Sequence, residues 1–348
     1  MNKHSKGDLQ QMQSLPLEAK LTMTQRRIRD WYDHWNGDVY VAFSGGKDST
    51  VLKHIVDGMY DDVTSVFVNT GLEFPELQSF VRDIKTGRYG CFHSDVEIIR
   101  PEMRFDEVIR KYGYPAISKQ ASHAIGVARR NPDGNVAKKQ FDPEKTGFFA
   151  FARWRYLIDA PFLLDDRCCY VLKKQPSAKY AKQSGKRPIV GTLANESKLR
   201  YSQWLNYGCN AYNTKEPTSH PLSFWTEQDI LHYIKLYAVP YCSVYGEIKP
   251  KAPAGEIPNQ ISMGEIAGDY LPDDELECTG YERTGCIYCL YGCHREATPN
   301  RIQRMKITHP RQYQYCIGGG EYVDGIWQPS KEGLGLAKVM DFIGIPYE

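Results

Sequence analysis

The stretch Val39-Tyr40-Val41-Ala42-Phe43-Ser44-Gly45-Gly46-Lys47-Asp48-Ser49-Thr50-Val51-Leu52 decides how the rest of the chain is read. Val39 to Phe43 is an apolar run of strand length. Ser44-Gly45-Gly46 turns the chain, and Lys47 to Asp57 has the pattern of a helix. A strand, a glycine turn and a helix in that order aim free backbone N–H groups at an anion. Lys47 adds a positive charge, and Ser44 and Ser49 add hydroxyl donors. A polyphosphate suits that chemistry. A bare strand-to-helix turn has no need of the lysine or of two flanking hydroxyls. The GxxxxGK[ST] and GxGxxG spacings do not occur at this loop.

Outward from the loop, the pattern repeats. Leu17, Leu21, Ile28, Trp31 and Trp35 predict a helix over 17–35, before the first strand. Thr64 to Thr70 reads as a second strand and Pro75 to Ile84 as its helix. Val96 to Arg100 and Phe105 to Tyr112 repeat the pair. Strands alternating with helices imply an α/β fold with a doubly wound, mostly parallel sheet. Its ligand belongs outside the carboxyl ends of the strands, where the loop and Asn69-Thr70-Gly71 both fall. Pro188 to Thr192 reads as a further strand. Thr226 to Tyr237 reads as a helix, with Thr226 as N-cap and Asp229 three residues on. Leu334 to Phe342 reads as a closing helix.

Residues 1–13 are polar and expected to be loosely held; 114–150 read as a basic loop or insertion, and 243–275 as a long excursion rich in Gly, Pro and acids. The expected division is a helical segment over 1–36, a nucleotide-binding domain over 37–240, and a cysteine-rich C-terminal extension over 241–348.

The 348 residues carry 41% hydrophobic and 25% charged side chains, ordinary for a globular protein, and a net charge of +2. Any nucleic-acid surface must then be local. No apolar run reaches the roughly 18–20 residues of a membrane span. The opening MNKHSKGDLQQMQ lacks the apolar core of a secretory signal, so a cytoplasmic protein without membrane partners is expected. In that compartment ten cysteines are better read as metal ligands where they cluster.

Two clusters stand out. Cys168-Cys169 is an adjacent pair, and Cys286-Ile287-Tyr288-Cys289 is a CxxC. Four thiolates suffice for a [4Fe–4S] cluster or a structural zinc. Adjacent cysteines diverge and suit the corners of a cuboidal cluster better than one tetrahedral ion. A rival grouping is a local zinc site from Cys278, Cys286, Cys289 and Cys293 or His294, which leaves the pair without a purpose. Cys91, Cys209, Cys242 and Cys316 stand alone and read as buried, inert thiols.

Ser44 to Ser49 resembles the SGGxDS loop of the ATP pyrophosphatase (PP-loop) superfamily. Cys168, Cys169, Lys173 and Pro176 resemble the cluster motif CCxxxKxxP of the sulfonucleotide reductases. Asn69 to Pro75, Gly191 to Arg200, Pro221 to Trp225 and Gly285-Cys286 resemble further motifs of that family, in its order, over about residues 37 to 295. The chain is identified as a member of the phosphoadenosine phosphosulfate reductase family, with an adenine nucleotide alpha-hydrolase-like, Rossmann-like fold.

The resemblance implies that Ser44, Gly45, Gly46, Lys47, Asp48, Ser49, Asn69, Thr70, Gly71, Gly191 and Glu196 bind an adenine nucleotide. It implies that Lys47, Asp48, Lys173 and Arg200 carry the chemistry, and that Cys168, Cys169, Cys286 and Cys289 hold a [4Fe–4S] cluster that Lys173 tunes.

Three departures separate the chain from a reductase. It ends Phe342-Ile-Gly-Ile-Pro-Tyr-Glu348, without the tail cysteine that attacks sulfur. Leu193 stands where the family has an arginine for the anionic end of its substrate. The loop keeps Lys47, as ATP-cleaving members do. The expected enzyme therefore cleaves ATP between the α- and β-phosphates with Mg²⁺, in sulfur transfer or thiolation with a sulfur-donor protein. The lysine-rich stretch 170–187, with Tyr170 and Tyr180, would serve a nucleic-acid acceptor. The alternatives are a reductase acting on adenylylsulfate or phosphoadenylylsulfate with a thioredoxin-like partner, and a nucleotide-binding iron–sulfur protein without turnover.

Overall fold

The computed structural model describes residues 4–147, 149–251 and 274–348, so most of the expected excursion over 243–275 lies outside the described residues. The described chain divides into two compact units. The first comprises 1–69, 73–99 and 179–284; the second comprises 70–72, 100–178 and 285–348.

The first unit is built on a six-stranded sheet in the order Val96–Ile99, Ser65–Val68, Val39–Phe43, Arg187–Val190, Thr218–Ser219, Asn210–Ala211. All neighbours are parallel except the last pair. Val39, Val41 and Phe43 are buried, as expected of a central strand flanked on both sides. Phe43 pairs with Phe67 and Ala42 with Val190, so Ser44, Asn69 and Gly191 all emerge at the carboxyl edge. This is the doubly wound, mostly parallel sheet that the sequence predicts.

The helix Leu17–His34 docks through polar contacts inside an apolar face. Lys20 is buried, and its ammonium donates to both oxygens of Asp229 at 2.7 and 2.8 Å. Asp229 also closes the capping box with Thr226 that starts the helix Glu227–Leu236. Thr24 Oγ1 accepts the Trp225 indole N–H at 2.9 Å and donates to the Pro221 carbonyl at 3.2 Å. The Pro221–Trp225 motif thus anchors the N-terminal helix.

The second unit is mainly helical. Ala116–Ile117 pairs in parallel with Leu290–Tyr291, and Glu321–Val323 forms a hairpin with Ile326–Gln328. Tyr114, buried, donates its hydroxyl to the Leu334 carbonyl at 2.8 Å, tying the segment after the helix Phe105–Tyr112 to the C-terminal residues.

Three expectations need correction. Residues 6–13 are helical, because Ser5 and Asp8 form a capping box and Leu9 is buried. Residues 114–150 contain the helices Lys119–Arg130 and Asn135–Gln140; Ser118 caps the first, and Ala121, Ala124, Ile125 and Ala128 bury one face of it. Cys91 is exposed, whereas Cys209, Cys242 and Cys316 are buried as expected. Among the described residues, no helix is long and apolar enough to cross a membrane.

Candidate functional site

In the first unit the glycine turn joins Phe43 to the helix Lys47–Asp57. Gly45 has φ +74°, a left-handed conformation in which its absent side chain would press on Val81 at 3.1 Å. Gly191 is required by proximity: a Cβ there would lie 2.9 Å from the Asp48 carbonyl oxygen. The strand Arg187–Val190 thus braces the first turn of the loop's helix.

The two serines shape the loop. Ser49 Oγ accepts the Ser44 N–H at 3.2 Å and donates to the Gly46 carbonyl at 2.9 Å, while Ser44 Oγ accepts the Gly46 N–H at 3.3 Å. The two hydroxyls also lie 2.9 Å from each other, so both serines hold the turn.

The Lys47 side chain is 6% exposed, with its ammonium 2.8 Å from a Glu227 carboxylate oxygen and 2.5 Å from the Glu282 carbonyl. Its backbone N–H donates to the Tyr245 hydroxyl at 3.2 Å. Burial pushes the Asp48 carboxyl above the usual carboxylate range, while Lys47, Arg283 and Arg200 pull it back. Its Oδ1 is buried without a hydrogen-bond partner.

Arg200 and Arg283 both bind Glu196. Arg200 donates to Oε2, and Arg283 lies 3.3 Å from Oε1. Oε2 also accepts the Leu193 N–H at 2.9 Å. Lys47, Asp48, Gly191, Glu196 and Arg200, far apart in sequence, are thereby one constellation. Glu227, Tyr245, Glu282, Arg283 and Thr284 belong to it and were not singled out from sequence.

Asn69 continues its strand, donating its N–H to the Ile99 carbonyl at 2.9 Å. In the second unit, Thr70 is buried and its Oγ1 accepts the Leu72 N–H at 3.2 Å; Gly71 has φ +75°.

The second unit also gathers the two cysteine motifs. Cys168 and Cys169 lie in the short helix Arg167–Cys169, which runs into a π-helical turn over Tyr170–Lys174. Such turns are rare and re-aim side chains within a helix. The Tyr291 hydroxyl donates to the Asp165 carbonyl at 3.4 Å, linking the strand after Cys289 to the residues before Cys168. The Cys168 thiol donates to Cys169. That hydrogen bond, then burial, then the charges of Cys169, Cys289 and Cys286 hold the Cys168 thiol protonated. The same hydrogen bond, with Lys119 and Lys173 adding positive charge, lowers Cys169. Burial, then Cys286, pushes Cys289 up to about 11. The four cysteines therefore share one electrostatic neighbourhood with two lysines. Lys119 was not expected there; Ser118, which caps its helix, was the available signal.

Cys278 instead lies in the first unit, where Lys47 and Glu227 act on its thiol, and Cys293 is buried in the second. Among the described residues, no three His, Cys, Asp or Glu side chains converge as one metal ion requires. A cuboidal cluster places its four thiolates on four separate iron corners, so the cysteine donor set fits [4Fe–4S] better than mononuclear zinc. Beside Lys119 a cavity of about 350 Å³ is lined by Ser118, Tyr291, His294 and Arg295. Both His294 ring nitrogens are buried without partners.

In the basic stretch, Tyr180 packs edge-on against Tyr40 at 5.0 Å, while Tyr170 is exposed. Arg187 lies over the Trp35 ring at 4.9 Å.

The chain matches the Phosphoadenosine phosphosulfate reductase domain over residues 38–124 and 119–291. It is 22% identical over 260 residues to an adenosine 5'-phosphosulfate reductase of Oceanobacillus iheyensis, covering 72% of this chain and 85% of that protein. It is 22% identical over 304 residues to sulfate adenylyltransferase subunit 2 of Salmonella arizonae, covering 79% and 83%. An uncharacterized protein of Methanocaldococcus jannaschii is 38% identical over 91 residues, and the match spans 26% of this chain and 18% of that protein. Among solved structures, a phosphoadenylyl-sulfate reductase from Candida auris in complex with phosphate aligns at TM-score 0.38 and 15% identity, over 69% of this chain and 91% of that one. A score that low carries no argument about the fold.

Proposed function

The chain belongs to the phosphoadenosine phosphosulfate reductase family, and we propose that it uses this fold to cleave ATP at the α–β bond, releasing AMP and pyrophosphate in a sulfur-transfer reaction. The observation that carries the reading is the orphaned Asp48 Oδ1 beside Lys47, Arg200 and Arg283. A buried carboxylate oxygen without a donor can take a divalent ion, and the lysine and two arginines whose charges reach it suit the polyphosphate that accompanies the ion. The similarity to a relative named as an adenylyltransferase subunit, over 79% of the chain, supports the same reading.

Lys47 would leave Glu227 for the departing pyrophosphate and neutralise its growing charge. Backbone N–H groups at the start of the helix Lys47–Asp57 would add their dipoles. Arg200 would hold a phosphate through the face it now gives to Glu196. Asp48 would hold Mg²⁺, which supplies charge neutralisation on phosphate oxygens when bound. Cys168, Cys169, Cys286 and Cys289 would hold a [4Fe–4S] cluster, which supplies sulfur or electron chemistry when bound. Lys119 and Lys173 would balance the thiolate charge there.

The test is product analysis. Protein, ATP and Mg²⁺ should yield AMP and pyrophosphate, and Lys47→Ala should slow this roughly 10²–10³-fold. Release of ADP and phosphate would reject the reading.

A reductase reading draws support from the relatives named adenosine 5'-phosphosulfate reductase. It needs a reactive thiol to attack sulfur. Cys316 and Cys293 are the sequence candidates, and both are buried. Burial pushes Cys316 far up and Cys293 up to about 11, so neither is a ready nucleophile. Sulfite released from adenylylsulfate with thioredoxin would favour this reading over ours.

A further inference from the structure

We infer that Arg283 is a phosphate-binding residue of the nucleotide site, supplying from a separate segment the guanidinium missing at Leu193. This rests on the proposed ATP reading and extends it to the residue that selects for a polyphosphate.

Leu193 is buried, and only its backbone N–H reaches the site, on Glu196. Arg283 arrives by another route. The strand Leu276–Cys278 pairs antiparallel with Ile248–Pro250. Beyond it, the Gly280 N–H donates to the Tyr245 carbonyl at 2.9 Å and the Tyr281 N–H to the Val244 carbonyl at 3.0 Å. The Tyr281 ring packs on Phe74 at 4.8 Å.

These contacts lay Glu282-Arg283-Thr284 across the loop. The Glu282 carbonyl takes the Lys47 ammonium. The Thr284 hydroxyl lies 2.7 Å from the Tyr245 hydroxyl, which accepts the Lys47 backbone N–H. Arg283, between them, points to Glu196 and lies close enough to Asp48 and Arg200 to shift both. Two guanidinium groups that share one carboxylate hold more positive charge than that partner neutralises. A planar, forked donor suits a phosphate group. Of the three cations, Lys47 is 6% exposed, Arg200 40% and Arg283 58%. Arg283 therefore stands at the outer rim, placed for the end of a polyphosphate rather than for a lone α-phosphate.

The test is calorimetric binding of inorganic pyrophosphate and of AMP to the full chain with Mg²⁺. Arg283→Ala should weaken pyrophosphate binding about 10- to 100-fold, as expected for a charged hydrogen bond, and change AMP binding less than about threefold. Arg283→Lys should recover part of the loss. Unchanged pyrophosphate binding in Arg283→Ala overturns the inference. So does an equal loss for both ligands with a lowered melting temperature, the mark of a merely structural role. A wild-type protein that binds no pyrophosphate overturns the ATP reading as well; a wild-type protein that cleaves ATP while Arg283→Ala binds normally overturns this inference alone.

Discussion

The Lys47 ammonium and the Glu227 carboxylate lie 2.8 Å apart, so the cation at the glycine loop is held by a protein carboxylate. Glu227 is 45% exposed, and such pairs are worth roughly 0.2–1 kcal/mol. On the proposed reading a polyphosphate displaces it. Glu227→Gln should therefore raise pyrophosphate affinity, up to about fivefold, measured by calorimetry. A weaker affinity would mean instead that Glu227 holds Lys47 in its working position.

The helix behind the loop contains a buried ion pair. Lys53 Nζ lies 2.8 Å from Asp57 Oδ2, with both side chains almost fully buried. Asp57 also accepts the His93 N–H at 2.9 Å. Removing one member leaves the other charge in an apolar interior. Asp57→Ala should cost roughly 3–5 kcal/mol in urea unfolding. The double variant Lys53→Met with Asp57→Leu should recover much of that loss. A single-variant cost below about 1 kcal/mol would contradict the pair's burial.

The cysteine arrangement separates two ligand sets. Cys169→Ala and Cys286→Ala should each strip most iron and acid-labile sulfide from anaerobically purified protein. Cys278→Ala and Cys293→Ser should leave both near wild-type levels, because their thiols lie outside the shared neighbourhood of Cys168, Cys169, Cys286 and Cys289. Metal retained in Cys169→Ala but lost in Cys278→Ala, Cys286→Ala and Cys293→Ser would assign it to the rival set instead.

Local chemistry made much of this legible in the sequence. The strand Val39–Phe43 and the helix Phe105–Tyr112 fall where their apolar periods put them. The Thr226–Asp229 capping box was readable for the same reason. The Ser5–Asp8 box and the Ser118 cap carried equal information and were passed over in polar surroundings. In the site, Lys47 and Asp48 were legible because the loop is contiguous. Arg283 was not: it comes from 235 residues beyond Asp48 (283 − 48), through backbone bonds to residues 244 and 245 that no side-chain pattern announces. Lys119 was hidden likewise, because a long-range pairing of Ala116–Ile117 with Leu290–Tyr291 brings the segment before its helix to the strand after the CxxC.

His220 gives the fold a pH dependence of known sign. The Gln203 side-chain amide N–H donates to His220 Nε2 at 2.9 Å, so that nitrogen accepts; Nδ1 then carries the proton and donates to the Thr192 hydroxyl at 2.8 Å. A second proton, on Nε2, would face the Gln203 amide N–H. Burial first, and the Arg200 charge second, lower the imidazole from 6.5 to about 4. Above pH 6.5 the ring is neutral in both folded and unfolded chains, and its contribution is intact. As pH falls from 6.5 towards 4, the unfolded chain binds the proton first, so stability drops, by up to roughly 3 kcal/mol from this group. Urea midpoints at pH 7 and pH 4.5 should fall further for wild type than for His220→Gln. The comparison subtracts the carboxylates, which titrate in both proteins. Equal falls would mean that His220 takes up its proton in the folded chain as readily as in the unfolded one, and that its two neutral hydrogen bonds do not hold it.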